Sequence, residues 1–351
     1  MTMTMSEPTA DPPSRTLVVS VVLFYIVAAL AMIVANKWVL NATSAALFLL
    51  LVQLLISAFL LWIADLFRLF QDRLTLDIAT CKALIPLIAL NVTGLSFSNY
   101  TLKFVDTSFY QVARGLVLPF TVAASFFLLQ TRPSVRILSA CALVTAGFFI
   151  GVLLDGTPLS LVGIGFGVVS SLITAVATVV IKKSLPLVND SSILLAWYSN
   201  VLSAVVLVPV MFVAGEGPAI FALLRGAPAP GAPEGTPSEL PTFLWGSLVT
   251  GVVGFAMSVA GPLSIKVTSP ISHMISAAVR GVASSFLGLW LFHDLISSGR
   301  AASIAVVLGG SIFYTWIKNE ETKAAKTTGG YERVPMNEID LERGSQLEER
   351  D

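Results

Sequence analysis

Ten runs of apolar residues, each about as long as a bilayer is thick, leave this chain very few ways to fold. They cover residues 17–40, 45–67, 82–102, 108–129, 135–154, 161–181, 192–214, 242–265, 270–292 and 301–317. A helix needs about 20 such residues to cross the hydrocarbon core, and water-soluble cores rarely repeat that length. Only 12% of the 351 residues are charged, against roughly 25% in a soluble domain. The fold class expected is all-α and polytopic, with ten transmembrane helices.

The ninth run carries the sharpest feature. It holds Arg280 near its middle, and no acidic residue lies between Lys266 and Asp294 to offset it. A guanidinium keeps its proton in proteins, and one at bilayer depth costs on the order of 3 kcal/mol or more, so it normally faces a polar cavity and meets an anion. Lys37 and Arg114 are two further cations in or at the edges of apolar runs without a local carboxylate. Lys37 can snorkel to the interface as readily as it can touch a ligand. Arg114 can equally bond backbone carbonyls. An interior with fixed positive charge and no fixed negative charge selects an anion, and phosphate suits a guanidinium fork.

Basic residues between the runs fall mostly on alternate loops, at Arg15, Arg68, Arg73, Lys82, Arg132, Arg136, Lys182, Lys183, Lys266, Lys318, Lys323 and Lys326. The opposite side holds Lys103, Arg225 and Arg300. The positive-inside bias therefore predicts cytosolic N- and C-termini. Residues 1–15 read as a cytosolic disordered segment and not as a signal peptide. Residues 215–241, rich in Pro and Gly, read as a flexible non-cytosolic connection, and residues 319–351 as a charged, disordered cytosolic tail. Two cysteines, Cys81 and Cys141, read as buried thiols and not as a disulfide framework. Two histidines are too few for a His-ligated metal site, so no metal and no cofactor is expected.

The chain also repeats itself. Ser108-Phe-Tyr-Gln-Val-Ala-Arg114-Gly opens the fourth run and Ser272-His-Met-Ile-Ser-Ala-Ala-Val-Arg280-Gly the ninth. Ala146-Gly147 in the fifth run matches Gly309-Gly310 in the tenth. The halves are then 16–154 and 155–318, five runs each. An odd number of spans forces the halves into opposite orientations, the inverted repeat of secondary transporters, whose sites lie at the repeat interface.

Polar groups at membrane depth include Asn36, Gln53, Asn91, Asn99, Tyr110, Gln111, Tyr198, Asn200 and His273. They can read a base or a sugar, or they can tie helices together at about 1 kcal/mol each. Trp197-Tyr198-Ser199-Asn200 combines a stacking face with an amide. No GxSxG elbow, Walker loop, HExxH or intramembrane carboxylate pair is present, so no catalytic residue is assigned and an enzyme is not expected. The lack of an intramembrane Asp or Glu also argues against proton coupling, whereas exchange of two anions needs no proton relay.

With these residues in hand, the chain resembles the nucleotide-sugar transporters of the drug/metabolite transporter superfamily, in the triose-phosphate translocator and GDP-fucose transporter-like branch. The resemblance covers roughly 21–318. It rests on Asn36-Lys37, Phe109-Tyr-Gln-Val-Ala-Arg114, Trp197-Tyr-Ser-Asn200, Gly254-Phe-Ala, Lys266-Val-Thr-Ser-Pro-Ile-Ser-His273 and the Gly309-Gly310 to Trp316 stretch. It implies a Golgi antiporter, with the endoplasmic reticulum as the other compartment, importing GDP-fucose in exchange for GMP. Another nucleotide sugar or a sugar phosphate is the alternative. In GDP-sugar relatives an aromatic-Tyr-Asn-Asn motif in span seven helps recognise guanine, and a Gly-Ala-Leu-Asn-Lys motif in span nine faces sugar and phosphate. Here the first has Ser199 in place of one Asn. The second reads Ser276-Ala277-Ala278-Val279-Arg280, which argues against GDP-mannose. The substrate-binding set implied is Lys37, Tyr110, Arg114, Trp197, Tyr198, Asn200, His273, Ser276, Ala277 and Arg280. The implied partners are a nucleotide sugar, a nucleoside monophosphate and the lipid bilayer, with a homodimer left open and no nucleic acid.

Overall fold

In the computed structural model the described residues are 15–43, 45–70, 72–154, 160–228, 238–267, 270–293 and 297–330, and among these the side chains of 15, 17, 182, 261–278 and 325–330 are not described. Among the described residues the chain is helical, with no strand. In order the helices are α1 (Arg15–Ala42), α2 (Ala46–Leu66), α3 (Ile78–Ala83), α4 (Ile85–Phe104), α5 (Thr107–Gly115), α6 (Val117–Leu129), α7 (Val135–Leu153) and α8 (Leu161–Ser184). A short 3-10 turn at Leu185–Val188 follows, then α9 (Ser192–Val213), α10 (Gly217–Leu224), α11 (Leu240–Val267), α12 (Pro270–Phe292) and α13 (Ser298–Gly330). Among the described residues eight spans are long and apolar enough to cross a membrane, lying in α1, α2, α5 with α6, α7, α8, α9, α11 and α13. The surface carries large apolar side chains such as Trp62, Phe127, Val213 and Trp290, as a lipid-facing exterior requires. The chain is a polytopic membrane protein.

Local chemistry sets several helix starts. Ser134, Ser160 and Ser191 accept from the amides of Ile137, Gly163 and Leu194, and Asp77 accepts from Thr80 N at 3.0 Å. These side chains satisfy amides that a helix leaves bare in its first turn. The Thr80 amide and hydroxyl on Asp77 hold its carboxyl below the usual 3.8.

Packing is long-range. The principal helix pairs are α7 with α13, α4 with α8 and α1 with α11, followed by α2 with α11, α6 with α8 and α2 with α9. One buried apolar cluster lies between α2, α4 and α9, through Leu50, Leu54, Val92, Leu194 and Leu207. Another joins α1, α2, α4, α5, α7 and α11, through Val39, Leu49, Leu102, Phe109 and Phe148. At the α7–α13 crossing, a Cβ on Gly310 would lie 2.6 Å from Val144 Cγ2 and 3.1 Å from Val144 N, and one on Gly147 would lie 3.0 Å from Val307 N. Only glycine allows that approach.

Four sequence expectations are corrected here. The fourth run is not one continuous helix. It breaks at Leu116, whose amide bonds Ala113 O at 3.2 Å, and Ser171 of α8 donates to the same carbonyl at 2.8 Å. The first part of the connection after α9 is not an irregular loop but folds as α10. The tail expected to be disordered from 319 instead continues α13 to Gly330, because Glu320 to Lys326 are mostly good helix formers and Lys323 pairs with Glu320 at 3.3 Å. Arg300, expected in a loop, lies in the first turn of α13 with no exposed surface. Residues 1–14 and 331–351 lie outside the described residues.

Candidate functional site

A cavity of about 390 Å³ opens between α5, α6, α12 and α13. Its lining mixes apolar Val117, Leu118, Val307 and Leu308 with polar Gln111, Arg114, Thr121, Arg280, Ser311 and Tyr314. The break at Leu116 separates the α5 face that presents Gln111 and Arg114 from the α6 face that presents Thr121. Two cations far apart in sequence, Arg114 and Arg280, thus share one space. Arg114 is solvent-accessible where it lines this space.

Each guanidinium is held by a tyrosine. Arg114 Nη1 donates to Tyr110 Oη at 3.0 Å, and its guanidinium carbon sits 5.6 Å from the centre of the Tyr110 ring. Tyr110 Oη in turn shares a hydrogen bond with Ser98 Oγ of α4 at 2.8 Å. Arg280 Nη1 donates to Tyr25 Oη of α1 at 3.1 Å and lies 5.7 Å from that ring's centre. Phenol hydroxyls and ring faces orient the two guanidinium groups without a carboxylate partner. Arg280 Nε and Gln111 Nε2 are buried donors with no protein hydrogen-bond partner. Two fixed positive charges and spare donors, with no carboxylate among the described lining residues, are chemistry suited to an anion. Among the described residues no cluster of three His, Cys, Asp or Glu could hold a metal.

Other expected residues fall elsewhere. Lys37 does not reach the cavity. It is 6% exposed and donates to Leu102 O at 2.8 Å and Val105 O at 2.7 Å. A cation there satisfies bare carbonyls at the C-terminal end of α4 and complements its dipole. Tyr198 is a core residue, 1% exposed, and its hydroxyl accepts from Asp77 N at 2.8 Å. Asn200 Nδ2 donates to Ser57 Oγ of α2 at 3.0 Å. Trp197 keeps a buried Nε1 with no protein partner. None of these three lines the cavity beside the arginines. His273, Ser276 and Ala277 stand on α12 upstream of Arg280, and their side chains lie outside the described residues.

Three buried or site-adjacent polar groups escaped the reading of the sequence. Tyr25, which orients Arg280, was signalled by a tyrosine in the middle of an otherwise apolar run. Glu216 is 5% exposed and accepts from Leu47 N at 2.9 Å, Phe48 N at 3.1 Å and Tyr100 Oη at 2.9 Å. It is thus a buried carboxylate capping α2. Arg300 Nη1 meets Asp106 Oδ2 at 2.7 Å and Ser108 Oγ at 3.0 Å, tying α13 to the start of α5. Both acids stood at run ends, and nothing local indicated which distant helix each would meet.

Comparison with known proteins follows the same lines. The GDP-fucose transporter 1 of Monosiga brevicollis is 32% identical over 86% of this chain and 90% of its own length. The protein named GDP-fucose transporter, Golgi, of Drosophila melanogaster is 31% identical over 72% of each chain. A solved crystal structure, 15% identical, superposes with a TM-score of 0.53 over 88% of this chain and 99% of its own, a likeness of fold. The model of the Triose-phosphate Transporter family matches residues 16–315, which takes in every residue given as lining the cavity. With its paired arginines set inside that match, the chain belongs to the Triose-phosphate Transporter family.

Proposed function

We propose that this protein is a GDP-fucose transporter of the Golgi membrane, bringing GDP-fucose to the lumen in exchange for GMP. The observation that carries the reading is the pairing of Arg114 and Arg280 on one cavity, with Arg280 Nε and Gln111 Nε2 left without protein partners. That is a receptor for the phosphates of an anion. The names of the relatives supply the nucleotide and the sugar. A nucleotide sugar and a nucleoside monophosphate carry nearly the same charge, so one positive site serves both and exchange moves little net charge.

Ten crossings arranged as two inverted five-helix repeats, 16–154 and 155–318, fit this function. The helix pairings support the repeat. If each run corresponds to the one five later, α4 with α8 becomes α11 with α1, and α2 with α11 becomes α9 with α4. The pairs α7 with α13, α2 with α9 and α5 with α12 map onto themselves. All of these contacts are present. Arg114 and Arg280 are then equivalent residues of the two halves. The basic residues between runs put both termini in the cytosol.

The test is uptake into proteoliposomes preloaded with GMP, UMP, CMP or phosphate and offered labelled GDP- and UDP-sugars. GMP-stimulated uptake of GDP-fucose is the expected result. Stimulation by UMP would replace the base, and stimulation by phosphate alone would make the substrate a sugar phosphate. Failure of every pair would remove the transport reading.

A further inference from the structure

Gln53 is an unusual side chain for the middle of α2. It is 6% exposed. Its Nε2 touches only the sulfur of Met32, at 3.5 Å, a weak acceptor. Its Oε1 has no protein hydrogen-bond partner. A bare amide oxygen at bilayer depth costs free energy, and a leucine there would pack without that cost. Gly254 of α11 packs against it without a side chain, a Cβ there standing in ordinary contact at 3.7 Å from Gln53 Nε2 and 3.8 Å from Met32 Cε, and no neighbouring group supplies a donor to Oε1.

Helix α1 relates Gln53 to the arginines. Tyr25 on α1 holds Arg280, and Met32 on α1 contacts Gln53. Seven residues are two helical turns, so Tyr25 and Met32 share a face and are separated by about 10 Å along the axis. A nucleotide spans such a distance between its phosphates and the hydrogen-bonding edge of its base. One turn beyond Met32 on the same face, Asn36 has a second buried amide oxygen without a protein partner. One turn from Gln53 on α2, Ser57 receives Asn200 of α9, and a turn before Asn200 stands Trp197 with its unpartnered Nε1 donor. Polar atoms that no protein group satisfies therefore extend from Arg280 along the α1 face.

We infer that Gln53 is a base-reading residue of this transporter, its Oε1 accepting from the N–H edge of guanine while the phosphates rest on Arg114 and Arg280. The inference rests on the reading of the site as one for a guanine nucleotide. Guanine offers adjacent donors at N1 and at its 2-amino group, matching unpartnered acceptors, while its O6 accepts from a donor such as Trp197 Nε1. A site that holds buried acceptors for a ligand's N–H discriminates against ligands lacking it, because the acceptors would then stay unpaired.

The experiment uses the purified full-length protein and the nearly isosteric Gln53→Met. Affinities for GMP, UMP and ribose 5-phosphate are measured by calorimetry, together with the melting temperature without ligand. For Gln53→Met the GMP affinity should fall at least ~10-fold toward that of ribose 5-phosphate. Ribose 5-phosphate binding should be unchanged, and the ligand-free melting temperature equal or higher, since an unsatisfied polar group has been removed. An unaltered GMP affinity, or an equal loss for GMP and ribose 5-phosphate, would overturn the inference and leave the proposed function standing. Wild-type protein that binds UMP better than GMP would overturn the guanine reading itself, and the role of Gln53 as its reader with it.

Discussion

Lys37 and Arg280 look alike in the sequence, each a cation in an apolar run with no nearby acid, yet the structure gives them opposite tasks. Lys37 spends its donors on the carbonyls of Leu102 and Val105. Arg280 lines the cavity and keeps Nε unpartnered. Lys37→Met should therefore act on stability, baring two buried carbonyls at about 1–3 kcal/mol each, and its melting temperature should drop well below the wild type. Arg280→Gln should leave the melting temperature nearly unchanged and the protein in its membrane while uptake falls at least ~10-fold. Melting curves and uptake on the same two preparations check both. Equal loss of stability in the two variants would contradict the division of roles. That both residues needed a counterpart was legible from their isolation in apolar runs. Which counterpart each found was not, because the carbonyls that hold Lys37 lie 65 and 68 residues away. Glu216 and Arg300 make the same point in reverse: read as loop residues, each is buried against distant groups, Glu216 against Leu47 169 residues away and Tyr100 116 away, and Arg300 against Asp106 194 away.

Among the elements, α7 and α13 form the most extensive contact. The glycines that permit it could be seen as small-residue stretches in the fifth and tenth runs, but Gly309 and Gly310 could not be told apart by inspection. The structure separates them. A Cβ on Gly310 would meet Val144 Cγ2 at 2.6 Å and backbone at 3.1 Å, whereas one on Gly309 meets nothing within 4 Å. Gly310→Val should force the helices apart and cost about 1–3 kcal/mol or more. Gly309→Ala should be neutral or slightly stabilising, because alanine suits a helix better than glycine by about 1 kcal/mol. Thermal melting of the two variants checks this, and comparable losses in both would refute the crossing geometry. The break at Leu116 was signalled by Pro119, which has no amide to give the carbonyl of Gly115 four residues before it, whereas the donation of Ser171 from another helix to the Ala113 carbonyl at the break could not be read locally.

At the scale of the molecule, the alternation of basic loops predicts both termini on the cytosolic face. In intact Golgi vesicles a tag after Asp351 should be digested by added protease without detergent, and protection of that tag would reverse the assignment. That the chain is helical and crosses a membrane several times was legible in the sequence alone, since it follows from the cost of placing polar groups in hydrocarbon, a cost that depends only on residue type and run length. The meeting of the two arginines, the conversion of Lys37 and Tyr198 into structural residues, and the placing of Glu216 and Arg300 in the interior were decided by tertiary structure. In each case the physical reason is the same: a buried donor or acceptor must find its partner in space, and in a bundle of long helices that partner belongs to a helix whose identity only the packing sets.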